Sequence, residues 1–270
     1  MRRLYPPAGA ADAEPAGTPG ASAGPGLDTL DGLAEVYAYP ASVAGGRAWL
    51  RANMVGSLDG AAVADGKSAP LSSPADMRIF GVLRALADVV VVGAETARRE
   101  GYRPARARKE FAARRAAAGQ AAAPAIAVVT RGLDLDFGSP LFRDPVVPTL
   151  VLTGAAAPRE RLVAARAAGA EVVVAADPAG DGAGVDPLRA VAELAARGLP
   201  RLLHEGGPRL LAQFAAAGAV DELCLTVAPL LTGGGAPRIM NGPAVPGPAR
   251  FAPGSVLEED GFLFTRYVRA

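Results

Sequence analysis

The sequence of 270 residues has little cysteine, little histidine and almost no net charge. Its single cysteine, Cys224, excludes a disulfide within the chain, and with His204 as the only histidine it excludes a zinc site built from Cys and His. The 28 basic and 27 acidic residues leave a net charge of +1, which gives no electrostatic reason to expect nucleic acid or an anionic membrane as a partner. No apolar run is long enough to cross a bilayer, and no apolar segment follows Arg2 and Arg3 as in a signal peptide. We therefore expect a cytoplasmic protein.

Composition divides the chain into three parts. Residues 1–26 are rich in Pro, Gly and Ala, and they bury too little apolar surface to offset the entropy of ordering, so we predict a flexible leader. Residues 27–45 carry apolar side chains at helical spacing as far as Pro40, which predicts an N-terminal helix and linker. Residues 46–270 are predicted to form a single domain.

Within that domain, short apolar runs alternate with helical patterns. This order predicts an α/β fold with a mainly parallel mixed sheet and a C-terminal antiparallel hairpin that turns at Asp260-Gly261. The strands are expected at 47–55, 88–92, 126–129, 148–152, 172–174, 201–203 and 220–227. Residues 97–123 are rich in Arg and Ala, and they predict a solvated helix or a long loop.

The most informative segment runs from Arg201 to Phe214. Leu202 and Leu203 end a buried strand, Gly206-Gly207 interrupts regular structure, and Pro208 suits the first turn of a helix. A strand–glycine–helix joint directs backbone N–H groups and the positive end of a helix dipole at the sheet edge, and glycine lets a phosphate approach the main chain. The alternative is an ordinary strand–turn–helix connection.

Parallel sheets bind ligands at the carboxyl ends of their strands. Polar or glycine-rich sequence follows five strands here, at 56–60, 93–96, 130–131, 205–209 and 229–235. None of these segments is the G-x-G-x-x-G of a dinucleotide-binding fold or a P-loop. A nucleotide-dependent enzyme of another design is the expectation.

Five motifs give the chain a resemblance to a known family. They are Ser57-Leu-Asp-Gly60, Leu83-Arg-Ala85, Val92-Gly-Ala-Glu-Thr96, Leu203-His-Glu-Gly-Gly207 and Ala228-Pro-Leu-Leu231. In order and spacing they resemble the riboflavin-biosynthesis pyrimidine reductases, over about residues 47–268. The resemblance implies a dihydrofolate-reductase-like three-layer α/β/α fold. It also implies a stand-alone reductase, because no Cys-x-x-Cys of the zinc deaminase half is present.

The implied reaction is hydride transfer from NADPH, which reduces the ribosylamino side chain of a 5-amino-6-(5-phosphoribosylamino)uracil-like pyrimidine to ribitylamino. A dihydrofolate or pterin reductase on the same fold, or a non-catalytic NADP-binding module, stays as an alternative. The resemblance further implies a homodimer with a small heterocyclic substrate, and no metal.

The resemblance also implies roles for individual residues on the cofactor side. Nicotinamide would contact the end of the first core strand, the phosphates would contact Thr96 and the glycine–helix joint, and Arg131 would pair with a 2′-phosphate, which favours NADPH over NADH. Pro70 replaces the family's usual Trp. The implied cofactor set is Val55, Gly56, Pro70, Thr96, Glu100, Thr130, Arg131, Gly206, Gly207, Pro208, Arg209 and Leu210.

On the substrate side, the resemblance implies Ser68, Arg84 and Glu205, with Arg84 on the ribose phosphate and Glu205 near the pyrimidine. Asp59 and Glu205 are the candidate catalytic acids. An arginine that the family places after the Thr96 helix is not clearly located here, and either Arg103 or Arg106 would serve. For single residues, simpler interpretations remain open. Asp59 would then belong to an ordinary Asp-Gly turn, Arg84 to a solvated helix face, and His204 to the packed interior.

Overall fold

The computed structural model describes residues 1–6, 26–176 and 182–270. Its strands are β1 (Arg2–Tyr5), β2 (Trp49–Ser57), β3 (Val89–Gly93), β4 (Ala125–Val129), β5 (Leu150–Thr153), β6 (Glu171–Val174), β7 (Arg201–His204), β8 (Glu222–Ala228), β9 (Phe251–Glu259) and β10 (Phe262–Arg269). Its α-helices are α1 (Leu30–Val36), α2 (Pro74–Leu86), α3 (Ala94–Arg99), α4 (Ala112–Ala117), α5 (Pro140–Arg143), α6 (Arg159–Ala167), α7 (Pro187–Ala196) and α8 (Pro208–Ala216).

The strands form one mixed sheet in the order β1-β9-β10-β8-β2-β7-β3-β4-β5-β6. From β8 to β6 the sheet is parallel throughout. The β9–β10 hairpin is antiparallel to β8, and β1 is antiparallel to β9. Asp260 and Gly261 have φ values of 53° and 81°, as a tight hairpin turn requires. The predicted α/β fold with its C-terminal hairpin is confirmed.

Two hydrophobic cores lie on the two faces of this sheet and give the molecule three layers. In β3, Val90 and Val92 contact the core beneath α1 and α2, whereas Val89 and Val91 contact the core beneath α7 and α8. All four valines are fully buried, as expected for a central parallel strand covered on both faces. Among the described residues, no helix has the length and apolar character needed to cross a membrane.

Helix α2 carries one side of the site that is described below. It begins at Pro74, and the Ser73 hydroxyl accepts the N–H of Asp76 at 3.1 Å as the N-terminal cap. Its buried face includes Ile79, Val82 and Leu83. Arg84 lies in the last turn of the helix, and its side chain reaches Glu205, the residue after β7.

The predicted flexible leader differs from the structure at its first residues. Arg2–Tyr5 forms β1, which pairs with β9 at the edge of the hairpin, and Arg2 Nε donates to Glu258 at 2.6 Å. A prediction from composition considers only how much side-chain surface a segment can bury. It therefore misses a segment that is ordered by backbone hydrogen bonds to an exposed strand. Residues 7–25 of the predicted leader lie outside the described residues.

The expectation of a solvated surface over 97–123 is wrong at Arg115. This side chain is 3% exposed, and Nη1 donates to the carbonyls of Ala85 and Ala87 at 2.8 Å each. Arg115 therefore caps the C-terminal end of α2, because it donates to carbonyls that accept no N–H within the helix.

Candidate active site

Two cavities open side by side at the carboxyl edge of the parallel strands. The helix-end cavity, of about 990 Å³, is lined by Thr96, Thr130, Arg131, Gly207 and Arg209 among others. The aromatic cavity, of about 700 Å³, is lined by Asp76, Phe80, Arg84, Tyr102 and Glu205 among others. Both cavities share Thr96, Arg99, Gly207, Pro208 and Pro237, so one extended ligand can reach from the first cavity into the second.

The glycine pair after β7 lies at the junction of the two cavities. Gly206 has a φ of +87°, which disfavours any side chain, and its carbonyl accepts the N–H of Gly93 at 2.9 Å. A Cβ on Gly207 would overlap Thr96 Oγ1. The β3–α3 and β7–α8 joints are thus packed together, and only glycine leaves this approach open.

His204 supports the glycine pair from below. Its Nδ1 accepts the N–H of Gly206 at 3.0 Å, and its ring packs edge-on against Phe214, with 5.0 Å between the ring centroids. Complete burial lowers the pKa of His204 to about 3, which keeps the imidazole neutral. The packed, hydrogen-bonded histidine is the interpretation that fits this geometry.

The N-terminus of α8 faces the helix-end cavity, and no side chain of the described residues caps it. Gly207 is the N-cap residue and Pro208 has no N–H, so the first-turn N–H groups of Arg209 and Leu210 are available to a ligand. Four arginines line this cavity against two carboxylates. Within the part of the chain that the structure describes, Arg131 and Arg209 form no ion pair. The cavity therefore favours a ligand with several anionic groups.

Most of the predicted cofactor residues line this helix-end cavity. They are Thr96, Thr130, Arg131, Gly207, Pro208, Arg209 and Leu210. The Thr130 hydroxyl accepts the N–H of Leu133 at 3.1 Å and so shapes the turn that presents Arg131.

The other predicted cofactor residues lie elsewhere. Val55 and Glu100 line the aromatic cavity. Gly206 shapes the joint, as described above. Gly56 is buried beneath Ala61 and Ile239, and Pro70 is exposed on the short turn Ala69–Leu71, so neither residue lines the two cavities.

In the aromatic cavity, Arg84 and Glu205 form a two-bond fork. Arg84 Nε lies 2.7 Å from Glu205 Oε1, and Nη2 lies 2.6 Å from Oε2. The Tyr102 hydroxyl donates to the same Oε2 at 2.6 Å. The guanidinium carbon also lies 4.4 Å from the centroid of the Phe80 ring. These contacts fix both charged groups in one geometry.

The electrostatics of this group follow from its burial. Burial raises the pKa of Tyr102 well above its ordinary value, and the neighbouring Glu205 carboxylate adds to this effect. Although burial opposes it, the same carboxylate raises the pKa of Arg84. Tyr102 is therefore a neutral hydroxyl donor, and Arg84 is a fixed cation.

Arg84 and Glu205, two of the predicted substrate residues, thus lie together in the cavity, but they bond to each other. Arg84 uses Nε and Nη2 on Glu205, which leaves Nη1 for a ligand phosphate. Sequence reasoning missed Tyr102, because a tyrosine in a loop after a short helix carries no periodic signal. Ser68 lies at the cavity mouth, where its N–H and hydroxyl donate to Glu100 Oε1 at 3.3 Å each.

Asp59, predicted as a catalytic acid, lies outside both cavities. It accepts the Ser57 hydroxyl at 2.5 Å and the backbone N–H groups of Gly233 and Thr232 at 2.7 and 3.2 Å. These bonds, the Ser57 hydroxyl first, lower the pKa of Asp59 to about 2. The exposed carboxylate therefore anchors the loop after β8, which supplies Gly235 and Pro237 to the helix-end cavity.

Asp76 is a second carboxylate of the aromatic cavity, and the sequence did not single it out as a site residue. It is 8% exposed and accepts the hydroxyls of Thr226 and Ser72 at 2.6 and 2.5 Å. Of the two arginines left open by the sequence, Arg103 lines this cavity, whereas Arg106 pairs with Asp144 at 3.2 Å. Asp144 is not among the residues that line the aromatic cavity.

Comparison with known proteins identifies the family. Residues 48–255 match the family model described as the RibD C-terminal domain. The chain belongs to this family. The match covers the predicted domain from β2 into β9, including every residue named in the two cavities.

Three relatives illustrate the similarity. The chain is 31% identical over 152 residues to the 2,5-diamino-6-ribosylamino-4(3H)-pyrimidinone 5′-phosphate reductase of Aquifex aeolicus, and the match covers 56% of this chain and 61% of the relative. A solved pyrimidine reductase-like protein of Corynebacterium diphtheriae is 29% identical, with a TM-score of 0.76 over 88% of this chain and 98% of that one. Acinetobacter baumannii RibD shares the fold, with a TM-score of 0.64, 19% identity, and 83% and 58% of the two chains covered.

These findings confirm the resemblance on which the sequence analysis relied. The α/β fold of the RibD C-terminal domain family is the fold of this chain. The chain spans 61% of the length of the curated Aquifex aeolicus relative that it matches.

Proposed function

We propose that this chain is an NADPH-dependent pyrimidine reductase of riboflavin biosynthesis. Its substrate would be a phosphoribosylamino-pyrimidine of the 5-amino-6-(5-phosphoribosylamino)uracil type. The observation that carries the proposal is the pair of adjoining cavities, one suited to anions and one to a flat ring, which share Thr96 and Gly207. The activity of the Aquifex aeolicus relative supports the same class of reaction.

The residues of the helix-end cavity fit NADPH. The diphosphate would bind to the N–H groups of Arg209 and Leu210 beside Gly207, where a side chain would close the approach. Arg131, which forms no ion pair within the described residues, would bind the 2′-phosphate. When bound, NADPH supplies the hydride.

In the proposed reaction, the open-chain ribosylimine would gain this hydride at C1 and a proton at nitrogen, so that the imine would become an amine. The protein's part is to orient the ring and exclude water. Glu205 accepts three hydrogen bonds, two from Arg84 and one from Tyr102, and it donates none. We therefore assign it to positioning these two side chains. Arg103, which lines the aromatic cavity, would bind the substrate phosphate together with the remaining Nη1 of Arg84.

The test is NADPH oxidation by the purified chain with the pyrimidine phosphate as substrate. Turnover that is lost when the phosphate is removed from the substrate is the expected result. Tight NADPH binding without turnover on any pyrimidine or pterin would contradict the proposal and would favour a non-catalytic NADP-binding module.

A dihydrofolate or pterin reductase is the second candidate. One observation favours it: Glu205 neutralises Arg84, which reduces the positive charge that the aromatic cavity offers to a phosphate. Oxidation of NADPH with dihydrofolate, and none with the pyrimidine phosphate, would select this alternative.

We also propose that the enzyme acts in the cytoplasm as a homodimer. Leu58 and Leu231, which are 61% and 78% exposed, lie on loops joined by a hydrogen bond of 2.8 Å from Leu58 N–H to the Leu230 carbonyl, and they offer apolar surface to a second copy. Light scattering at micromolar concentration tests this point, and a monomer would contradict it.

A further inference from the structure

The chain between β8 and β9 is a long irregular segment, residues 229–250, which we call the strap. All of its residues lie within the described range 182–270, and they form neither a helix nor a strand. Every one of them is exposed or half-buried. Loops longer than about 12–15 residues without secondary structure are uncommon in compact domains, and many of them are active-site lids or binding loops. The length of the strap therefore indicates a role beyond the connection of two strands.

The strap lies at the junction of the two cavities. Gly235 and Asn241 line the helix-end cavity, and Pro237 lines both cavities. A cofactor that extends from the first cavity into the second would therefore contact the strap at more than one point.

The strap is attached to the domain on both sides of this junction. Near β8, the carboxylate of Asp59 accepts the backbone N–H of Gly233 at 2.7 Å. Beyond the junction, the N–H of Asn241 donates to the carbonyl of Pro208 at 3.1 Å. A Cβ on Gly242, the next residue, would lie 2.8 Å from the Cβ of Ala212 on α8, so the strap is packed closely against that helix.

The middle of the strap has few contacts that hold it. Among the described residues, one hydrogen bond joins residues 234–240 to the rest of the domain, from the N–H of Ala62 to the carbonyl of Pro237 at 2.8 Å. Gly233 and Gly234 have φ values of 65° and 69°, in the left-handed region that glycine adopts without strain. A segment with few buried contacts and few hydrogen bonds opens at a low cost in free energy. The middle of the strap can therefore move while its two ends stay attached.

The attachment at Asn241 adjoins the site that we assign to the diphosphate. The carbonyl of Pro208 belongs to the first turn of α8, whose N–H groups at Arg209 and Leu210 are available to a ligand. The side-chain amide of Asn241 makes no hydrogen bond to any described residue, and Asn241 lines the same cavity. An amide that donates to a phosphate oxygen forms a charge-assisted hydrogen bond. A bound diphosphate can therefore join the helix to the strap.

We propose that the strap is a lid that closes over the diphosphate of the bound cofactor, with Asn241 as its contact. This inference rests on the proposed function, because it assigns a moving part to the same cofactor site. In the free protein the middle of the strap is open. When NADPH is bound, Pro237 closes the junction of the two cavities and excludes water from the place where hydride transfer is proposed.

The first test is limited digestion with trypsin, which cleaves after Arg and Lys. Arg238 is exposed in the middle of the strap, and it forms no ion pair within the described ranges. We expect saturating NADPH, with no pyrimidine present, to slow cleavage after Arg238 about tenfold, because cleavage follows the population of the open form. The control site is Arg106, which is exposed in a loop and lines neither cavity, and its rate of cleavage should not change.

Three results of the digestion would overturn the inference. The first is a free protein that is not cleaved after Arg238. The second is an equal rate of cleavage after Arg238 with and without NADPH. The third is equal slowing at Arg238 and Arg106, which would mean that NADPH stabilises the whole domain and does not close the strap.

The variant Asn241→Ala removes the proposed contact and keeps the backbone bond to Pro208. We expect its affinity for NADPH, measured by calorimetry, to fall about tenfold, as for the loss of a hydrogen bond to a charged group. Saturating NADPH should then slow cleavage after Arg238 by less than about threefold. The matched control is Met240→Ala, because Met240 is the neighbouring strap residue and lines neither cavity, and this variant should keep both wild-type values. Wild-type values in Asn241→Ala, or the same losses in Met240→Ala, would overturn the inference.

The inference and the proposed function fail in different ways. If the proposed function is wrong, the pyrimidine phosphate supports no oxidation of NADPH, although NADPH still protects Arg238 from trypsin. If only the inference is wrong, the pyrimidine phosphate is reduced and NADPH leaves the cleavage after Arg238 unchanged.

Discussion

Two arginine–glutamate pairs with nearly the same geometry have different places in this molecule. Arg51 Nε lies 2.7 Å from Glu222 Oε1, and Arg84 Nε lies 2.7 Å from Glu205 Oε1. In each pair Nη2 donates a second bond to the other carboxylate oxygen, at 3.2 and 2.6 Å respectively. What differs is the surroundings.

The Arg51–Glu222 pair is closed within the core. Both side chains are 0% exposed, and the two residues are direct partners on β2 and β8. Glu222 also accepts Trp49 Nε1 at 2.9 Å and Arg266 Nε at 2.7 Å, so one carboxylate joins three neighbouring strands. Although burial opposes ionisation, the two arginines hold the pKa of Glu222 below its ordinary value.

In the Arg84–Glu205 pair, only the glutamate is shielded from solvent. Glu205 is 2% exposed, but Arg84 is 25% exposed, and both residues line the aromatic cavity. Tyr102 joins this pair from the loop after α3. A buried arginine–glutamate pair therefore indicates a functional role only where one of its two side chains can contact a ligand.

The largest effect is expected in the core pair. Glu222→Gln leaves the buried Arg51 and the partly buried Arg266 without a counter-charge, and it should lower the free energy of unfolding by about 3–5 kcal/mol. Because the folded pKa of Glu222 is lowered, its contribution is complete above the unfolded value of 4.5 and is lost as pH falls through the folded pKa. Urea titration at neutral and acid pH measures both effects.

The exposed pair Arg114–Glu35, at 2.7 Å, provides the control for this experiment. Glu35→Gln should change the free energy of unfolding by less than about 1 kcal/mol, because the charges remain in water. An equal loss in the two variants would mean that burial does not distinguish the pairs.

The corresponding change in the cavity pair should act mainly on turnover. Glu205→Gln frees the Arg84 fork and the Tyr102 hydroxyl, and we expect kcat/KM for the pyrimidine to fall about 100-fold, or about 2.7 kcal/mol. NADPH affinity should stay within about threefold, because Glu205 is not among the residues that line the helix-end cavity. Unchanged turnover would remove Glu205 from the site.

His204 sharpens the comparison because it is buried and has no acidic partner among the described residues. Its folded pKa of about 3 lies below the unfolded value of 6.5, so the unfolded chain binds the proton first. The stability that neutral His204 contributes is therefore complete above pH 6.5 and falls by about 1.4 kcal/mol per pH unit below it.

As the only histidine, His204 can be tested without interference from others. The free energy of unfolding should fall by about 2 kcal/mol between pH 6.5 and about pH 5 in the wild type. His204→Asn, which does not titrate, should show a nearly flat profile over this range. The same slope in both proteins would contradict the assignment.

The smallest effect is expected from the hydroxyl that joins the cavity pair. Tyr102→Phe removes one donor from Glu205 and keeps the fork, so kcat/KM should fall about tenfold, with little change in stability. Tyr5→Phe, on the exposed edge strand β1, is the matched control and should leave kcat/KM as it is in the wild type. A loss as large as that of Glu205→Gln would mean that the hydroxyl, and not the fork, positions the substrate.

The sequence alone predicted the framework of the site. The valine run of β3 and the glycine–proline joint before α8 are local signals, because strand burial and helix starts depend on neighbouring residues. These signals located Thr96, Gly207 and Arg209 at one edge of the sheet.

What the sequence could not provide is the choice of partners across the fold. Arg84 and Glu205 are 121 residues apart, and no local pattern shows that they bond to each other. The same holds for Asp76 and Thr226, which are 150 residues apart. From the sequence, Asp59 was as suitable a catalytic acid as Glu205. In the structure, its carboxylate accepts the backbone N–H groups of Thr232 and Gly233.

In the proposed reaction, hydride passes from NADPH to the ribosyl chain of a pyrimidine held beside Arg84 and Glu205. The most direct measurement uses NADPH with deuterium at both C4 positions and mass spectrometry of the pyrimidine product. We expect a ribitylamino product that carries one deuterium at C1. Oxidation of NADPH with no deuterium in the product, or no reduced pyrimidine at all, would contradict it.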